Sequence, residues 1–267
     1  MRKKIALLTT PSGSLFSVTL PQGEPAAIAS NANPKATIAF SPSCMTSLVY
    51  APGSSAALLV RGLPSNPVVA GVTLPAGTSS VAIADSGSIL AAVSVADGST
   101  AIQLLASGTN AAQPVTVLAK FGGMAFVPGA DTAILADASA NSIIEASHLT
   151  SNMSLASLAS GTDGVSNPAA VAISADGRLA AVANTKGSSV LRLDLSGQSA
   201  PVKTVCRCSP AELEPLAGNF AFRLNEPGSG TVWAFDGNGS QPRVLFIPSD
   251  QAVSAGQAVS AGHGGSR

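Results

Sequence analysis

The chain has 267 residues, 14 Lys+Arg against 14 Asp+Glu, and 10% charged residues, where a soluble domain usually carries about 25%. That composition excludes long helical repeats and coiled coils, whose wet faces need Glu, Lys and Arg. A charge sum of zero with no basic block gives no electrostatic reason to bind nucleic acid. Hydrophobic residues make up 46% and aromatics 4%, with 26 Gly and 18 Pro as punctuation, which does not fit disorder over the whole chain. No run approaches the roughly 18 apolar residues of a membrane helix, so no membrane span is expected.

Taken in chain order, Met1-Arg2-Lys3-Lys4 has the basic start of a signal peptide. The apolar stretch Ile5–Leu8 is shorter than the about 7–15 residues of a signal core, and Thr9, Thr10 and Pro11 cut it. Ile5–Thr9 therefore reads as a strand, with no clear signal peptide; a leader upstream stays open. Leu15–Leu20 and Ala26–Ile28 read as two more strands.

A repeat follows. Val81-Ala82-Ile83-Ala84-Asp85-Ser86-Gly87, then Leu90-Ala91-Ala92-Val93, matches Val171-Ala172-Ile173-Ser174-Ala175-Asp176-Gly177, then Leu179-Ala180-Ala181-Val182. Weaker copies start at Ile38 and Met124, so the units are spaced 43, 43 and 47 residues apart. Each unit has one grammar. An apolar strand meets a turn in which Gly supplies positive φ and Asp bonds its own backbone. A second apolar strand, a polar turn such as Asn184-Thr185-Lys186-Gly187, an alternating third strand (Val190–Asp194) and a fourth (Val202–Val205) complete it. Four antiparallel strands in about 43 residues are the signature of a β-propeller blade.

The ends fit the same scheme. The three N-terminal strands match strands two to four of a unit. Asn219–Leu224, Thr231–Phe235 and Arg243–Ile247 do the same near the C-terminus, with a short first strand near Glu212–Leu216. The expectation is an all-β propeller of about six four-stranded blades over residues 1–248, the first blade lacking its first strand, then a flexible Gly/Ser/Ala-rich tail at 249–267. That tail repeats Gln-Ala-Val-Ser-Ala-Gly at 251–256 and 257–262. The missing strand has to come from the tail or from a lost leader.

Val171 to Leu195 resembles the blade repeat of bacterial YVTN-type β-propellers, matching at Asp176, Gly177, Val182, Ala183 and Asn184, with Ala175 in place of the Pro. The blade-level resemblance covers about residues 36–247. The wider chain is similar to secreted propellers of environmental bacteria. The resemblance implies a propeller fold and an extracytoplasmic setting, and no activity, because propellers carry many functions.

Chemistry is sparse. The histidines are His148, at a strand end, and His263, in the tail; neither makes a triad. The first strands Ile38-Ala39-Phe40, Val81-Ala82-Ile83, Met124-Ala125-Phe126 and Val171-Ala172-Ile173 carry no carboxylate, and the acids Asp85, Asp97, Asp131, Asp176, Asp194 and Asp236 sit at turns. A divalent cation in the channel would need about six to eight oxygen ligands. No catalytic residue, metal site or cofactor is therefore expected. Cys206 and Cys208 face one way if their segment is a strand, and a tight local disulfide or a metal pair both fit. The loops entering the first strands hold Asn33, Lys35 and Asn167, and the second-to-third-strand loops hold Asp137, Asn141, Asn184 and Lys186. These two loop classes share a propeller face, so the seven residues form a candidate binding set. The expected function is a non-catalytic scaffold for protein or peptide partners; the alternative is a channel-mouth enzyme such as a lactonase or a quinone-linked dehydrogenase. Oligomeric state is not legible.

Overall fold

The computed structural model describes residues 4–20, 23–109, 111–216, 218–225 and 231–248. Blade 1 is a three-stranded sheet, β1 (Lys4–Thr9), β2 (Leu15–Leu20) and β3 (Ala26–Ala29), in that order. Five four-stranded antiparallel sheets follow. Blade 2 comprises β4 (Thr37–Phe40), β5 (Thr46–Tyr50), β6 (Ala56–Arg61) and β7 (Val68–Thr73). Blade 3 has β8 (Thr78–Ile83), β9 (Ile89–Ser94), β10 (Thr100–Leu105) and β11 (Ala112–Leu118). Blade 4 is built from β12 (Phe121–Phe126), β13 (Thr132–Asp137), β14 (Ser142–Ser147) and β15 (Ser154–Ala159), and a 3₁₀ turn at Gly161–Asp163 leads onward. Blade 5 is β16 (Pro168–Ile173), β17 (Leu179–Asn184), β18 (Ser189–Asp194) and β19 (Val202–Val205). In blade 6, β20 (Glu214–Pro215) and β21 (Ala221–Arg223) are short, and β22 (Val232–Asp236) and β23 (Arg243–Ile247) are longer.

The burial of each strand explains its composition. The second strands are covered on both faces by neighbouring blades: all of β5 is buried, as are Ile89–Val93, Ala133–Asp137 and Ala180–Asn184. Their centres read as short Ala/Val/Leu/Ile runs, the pattern of a strand buried on both sides, with buried polar residues at the ends (Thr46 and Ser47, Asp137, Asn184). The outer strands face water, and Ser154–Ser157 of β15 are all exposed.

Five apolar clusters sit between consecutive blades. Leu15 and Val49 anchor the one between blades 1 and 2, Leu48 and Ile83 the next, Leu104 and Leu135 the third. Ile134 and Leu191 share the fourth, and Ala181 packs with Phe220 and Phe235 in the fifth. The core is thus distributed, one layer per blade interface.

Candidate functional site

The first strands of blades 2 to 6 converge on a central cavity of about 350 Å³. Its wall is Ala39, Ala82, Ala125 and Ala172 with Phe40, Ile83, Met124, Ile173 and Phe222 between them, and no Asp, Glu, Lys, Arg or His lines it. The lining comes from the C-terminal halves of these strands and from the turns that follow, Ser41-Pro42, Ser174-Ala175 and Gly218-Asn219. Ala175, Gly218 and Asn219 are exposed, so the cavity meets solvent at the end where first strands turn into second strands.

At the other end two inner strands close on each other. A Cβ on Gly122 would collide with the backbone carbonyl of Pro168, and one on Gly123 would lie 3.0 Å from the Ala170 Cα. Consecutive glycines let β12 and β16 touch there, backbone to backbone.

The acids hold the open end together. The Ser43 N–H donates to Asp85 Oδ1 at 2.9 Å, tying blade 2 to blade 3. The Asp176 N–H donates to Asn219 Oδ1 and Asn219 Nδ2 donates back to Asp176 Oδ2, both at 3.1 Å, tying blade 5 to blade 6. Asp131 Oδ2 accepts from the Thr150 N–H (2.9 Å) and hydroxyl (2.7 Å). Two of these carboxyls, those of Asp85 and Asp176, are held below the usual carboxylate range. For Asp176 the main cause is the Ser174 hydroxyl, helped by the Arg178 N–H, Asn219 and the Arg178 charge. For Asp85 burial pushes up, and the hydrogen bonds from Ser43, Ser41 and Gly129 together outweigh it. Bonds to the charged form account for this direction. The turn acids are structural ligands of backbone and hydroxyl groups.

The seven candidate binding residues lie toward the opposite face, where first strands begin and second strands end. The register pairs Pro168 with Asn184. Three of the seven meet in one turn network between blades 4 and 5. The Asn167 N–H donates to Asn141 Oδ1 at 2.6 Å, and Asn167 Nδ2 donates to Thr185 Oγ1. Asn184, with no exposed surface, accepts from the Ser166 N–H at 3.0 Å. Its Nδ2 donates to the Gly164 carbonyl (3.1 Å) and to Ser189 Oγ (3.3 Å). Asn141 and Asn167 have φ of 50° and 46°, a region Asn tolerates better than most residues. Asp137, also buried, accepts from the Ser139 and Ala140 N–H groups. Asn33 Oδ1 accepts from the Lys35 N–H at 2.9 Å, and both residues are exposed, as is Lys186.

His148 is exposed at φ 53°; His263 lies outside the described residues. Cys206 and Cys208 are bonded to each other, with Cα atoms 5.2 Å apart. Among the described residues no three His, Cys, Asp or Glu side chains come together. Sequence reasoning missed Asn219 and Thr185. Asn219 stands 43 residues after Asp176, at the same place in the next blade, so the repeat itself was the available signal. Thr185 carried none beyond its turn.

No protein-family model and no curated protein matches the chain. Its structure is similar to that of a functionally unknown protein from Desulfotomaculum acetoxidans, with TM-score 0.65, 14% identity, and 90% of this chain and 77% of that one covered. It is also similar to virginiamycin B lyase from Staphylococcus aureus (TM-score 0.62, 11% identity, 93% and 82% covered). A chain of a nidogen/laminin complex matches as well (TM-score 0.60, 12% identity, 92% and 99% covered). At such identities the likeness speaks to fold, and with the six radially packed sheets it establishes a β-propeller.

Proposed function

We propose that this propeller is a non-catalytic, extracytoplasmic module of the YVTN type that binds a protein or peptide partner by taking an apolar side chain into its central cavity. The observation that carries this reading is the wall of that cavity, which is predominantly apolar and carries no Asp, Glu, Lys, Arg or His, its polar lining being Ser41, Cys44, Ser174 and Asn219. General acid–base work needs a titratable group within hydrogen-bond reach of the substrate, and cation binding needs a cluster of oxygen ligands. A wall of Ala, Ile, Met and Phe supplies apolar contact area instead, at the small end of the roughly 300–1,000 Å³ typical of ligand pockets. Fold neighbours include both a lyase and a chain from a protein–protein complex, so fold alone does not choose between the two classes.

The test is selection of a random peptide display library on the immobilised protein, followed by two sets of variants. Ala125→Phe fills the cavity and is expected to weaken selected peptides at least tenfold. Lys35→Ala and Lys186→Ala, on the opposite face, are expected to leave them bound. The reverse result moves the site to the loop face of Asn33, Lys35, Asp137, Asn141, Asn167, Asn184 and Lys186. The enzyme reading makes its own forecast: stoichiometric metal by elemental analysis, or a chromophore in the absorption spectrum, would overturn the non-catalytic assignment.

A further inference from the structure

The Cys206–Cys208 disulfide closes a loop around one intervening residue. The stability a disulfide draws from restricting the unfolded chain grows with loop length, so this bond does little as a global staple. Its effect is local. An extended strand would set the two Cα atoms roughly 6.6 Å apart. The bond holds them at 5.2 Å, at a bend directly after β19. Residues 206–213 are the link from the outer strand of blade 5 to the inner strand of blade 6, and the disulfide fixes the direction in which that link sets off.

We infer that this disulfide is a thiol-exchange site and the latch of blade 6: a small-molecule thiol opens it, and opening frees β20 and the side of the cavity that it lines. The two cysteines are unequal. Cys206 is 8% exposed, and its N–H donates to the Ser188 carbonyl at 2.8 Å. Cys208 is half-buried and is the one an outside thiolate can reach. That thiolate attacks Cys208 Sγ, the bond between the cysteines breaks, and Cys206 leaves as a thiolate that takes up a proton. A second thiolate attacks the mixed disulfide at the sulfur of the added thiol, which releases the reagent's own disulfide and the Cys208 thiolate. The protein gains two electrons and two protons, and two reagent thiols become one disulfide. Arg207, exposed between the cysteines, favours a thiolate beside it. The released Cys206 thiol has an acceptor in place, since its Sγ lies 3.6 Å from the Cys208 carbonyl oxygen.

The inner strand of blade 6 leans on this link. β20 spans two residues, where β4 has four and β8, β12 and β16 have six each. It pairs Glu214 with Arg223 and Pro215 with Phe222, and Pro215 has no N–H to give a ladder. Cys208 and Leu213 pack against the cluster of Phe220, Phe222 and Phe235 between blades 5 and 6, so the closed bond seats the link. Between them Pro210 is buried, and the Ala211 N–H donates to the Leu224 carbonyl at 3.4 Å, longer than an ordinary amide hydrogen bond. Leu213, Pro215 and Leu216 carry this segment into the cavity wall. The bearing on partner capture rests on the function proposed above; the exchange and the loosening do not.

The test incubates the whole chain in mixtures of reduced and oxidised glutathione, blocks thiols with iodoacetamide and maps them by peptide mass, so that Cys44 is scored apart. Millimolar reduced glutathione is expected to open the bond in the native protein, with trapped glutathione adducts on Cys208. A bond that stays closed until denaturant is added, or adducts on Cys206 instead, overturns the exchange site. Amide hydrogen exchange reads the latch, because it reports local opening. Opening the bond is expected to speed exchange in β20 and β21 about tenfold and to leave Ile89–Val93 of blade 3 unchanged. Cys206→Ser combined with Cys208→Ser is expected to do the same without glutathione. An opened bond with unchanged exchange in blade 6, or an equal rise in both blades, overturns the latch. Neither readout involves a cavity ligand, so failure here leaves the proposed function standing, and a protein that passes both yet captures no peptide refutes that function alone.

Discussion

Replacing Asn184 by alanine asks whether the polar residues of the loop face are turn ligands or ligand-binding groups. Asn184 has no exposed surface and makes three side-chain hydrogen bonds. Truncation leaves the Ser166 N–H, the Gly164 carbonyl and the Ser189 hydroxyl without that partner. At about 0.5–1.5 kcal/mol net per bond, the loss is about 2–4 kcal/mol, or a fall of roughly 5–15 °C in melting temperature. Asn184→Asp sharpens the test. It keeps the acceptor for Ser166 but places a carboxylate against the Gly164 carbonyl in a buried site, which raises its pKa above the unfolded value of about 3.9. A raised folded pKa means that stability is intact below about pH 4 and is lost as pH rises. The deficit of the aspartate variant relative to wild type is therefore expected to be small at pH 4 and large at pH 7, measured by thermal melts followed by circular dichroism. An alanine variant that melts with wild type, or an aspartate variant with the same deficit at both pH values, would refute the turn-network assignment.

Two further outcomes follow from the geometry. Gly122→Ala drives a Cβ into the Pro168 carbonyl, where backbone faces backbone; a cost of about 1–3 kcal/mol is expected from overpacking, and a variant as stable as wild type would show that β12 and β16 need not touch. Asp176 has a depressed folded pKa, so its contribution is present above the unfolded value of about 3.9 and fades as pH falls through the folded one. Asp176→Asn is expected to flatten part of the acid limb of a melting-temperature profile between pH 7 and pH 2.5, and modestly, since the group is largely solvent-screened; superimposable limbs would count against it.

Much of the fold was legible because the repeat is written in the residues that physics constrains most. Val81-Ala82-Ile83 and Val171-Ala172-Ile173 recur because both line the same cavity and pair with the same kind of buried second strand. Gly87 and Gly177 recur because both turns need positive φ, 88° and 74°. Blade 6 was harder. Its first strand shrinks to Glu214–Pro215, and the proline, which cannot donate to a ladder, helps explain why. The site was less legible. Asn141, Asn167 and Asn184 announce polarity at turns, but their partners lie 18 to 26 residues away, across a blade or between blades, and spacing alone does not reveal such contacts. The direction in which the cavity opens depends on where inner strands can touch, which Gly122-Gly123 decides only once Pro168 is placed opposite.

The low charge content acquires a mechanism from this arrangement. Blades must approach closely at their faces, and the faces are Ala, Val, Leu and Ile, with Ala133, Ala136, Ala180 and Ala181 fully buried. Long charged side chains have no room there. The work that ion pairs do elsewhere falls to short polar groups at the turns. Among the described residues only two ion pairs form, Arg223–Glu214 at 2.7 Å and Arg243–Asp236 at 3.1 Å, both within blade 6. The links between blades are neutral or singly charged instead: Ser43 to Asp85, Asn167 to Asn141, Asn219 to Asp176, and Arg192 to the Gly237 carbonyl. A hydrogen bond to a backbone group is less exposed to salt screening than a surface ion pair. The same shortage of charge that keeps the blade faces tight also leaves the cavity wall without an acidic or basic side chain. Fold economy and an apolar channel are therefore one consequence of a single composition, and the place to look for this propeller's specificity is the shape of that channel.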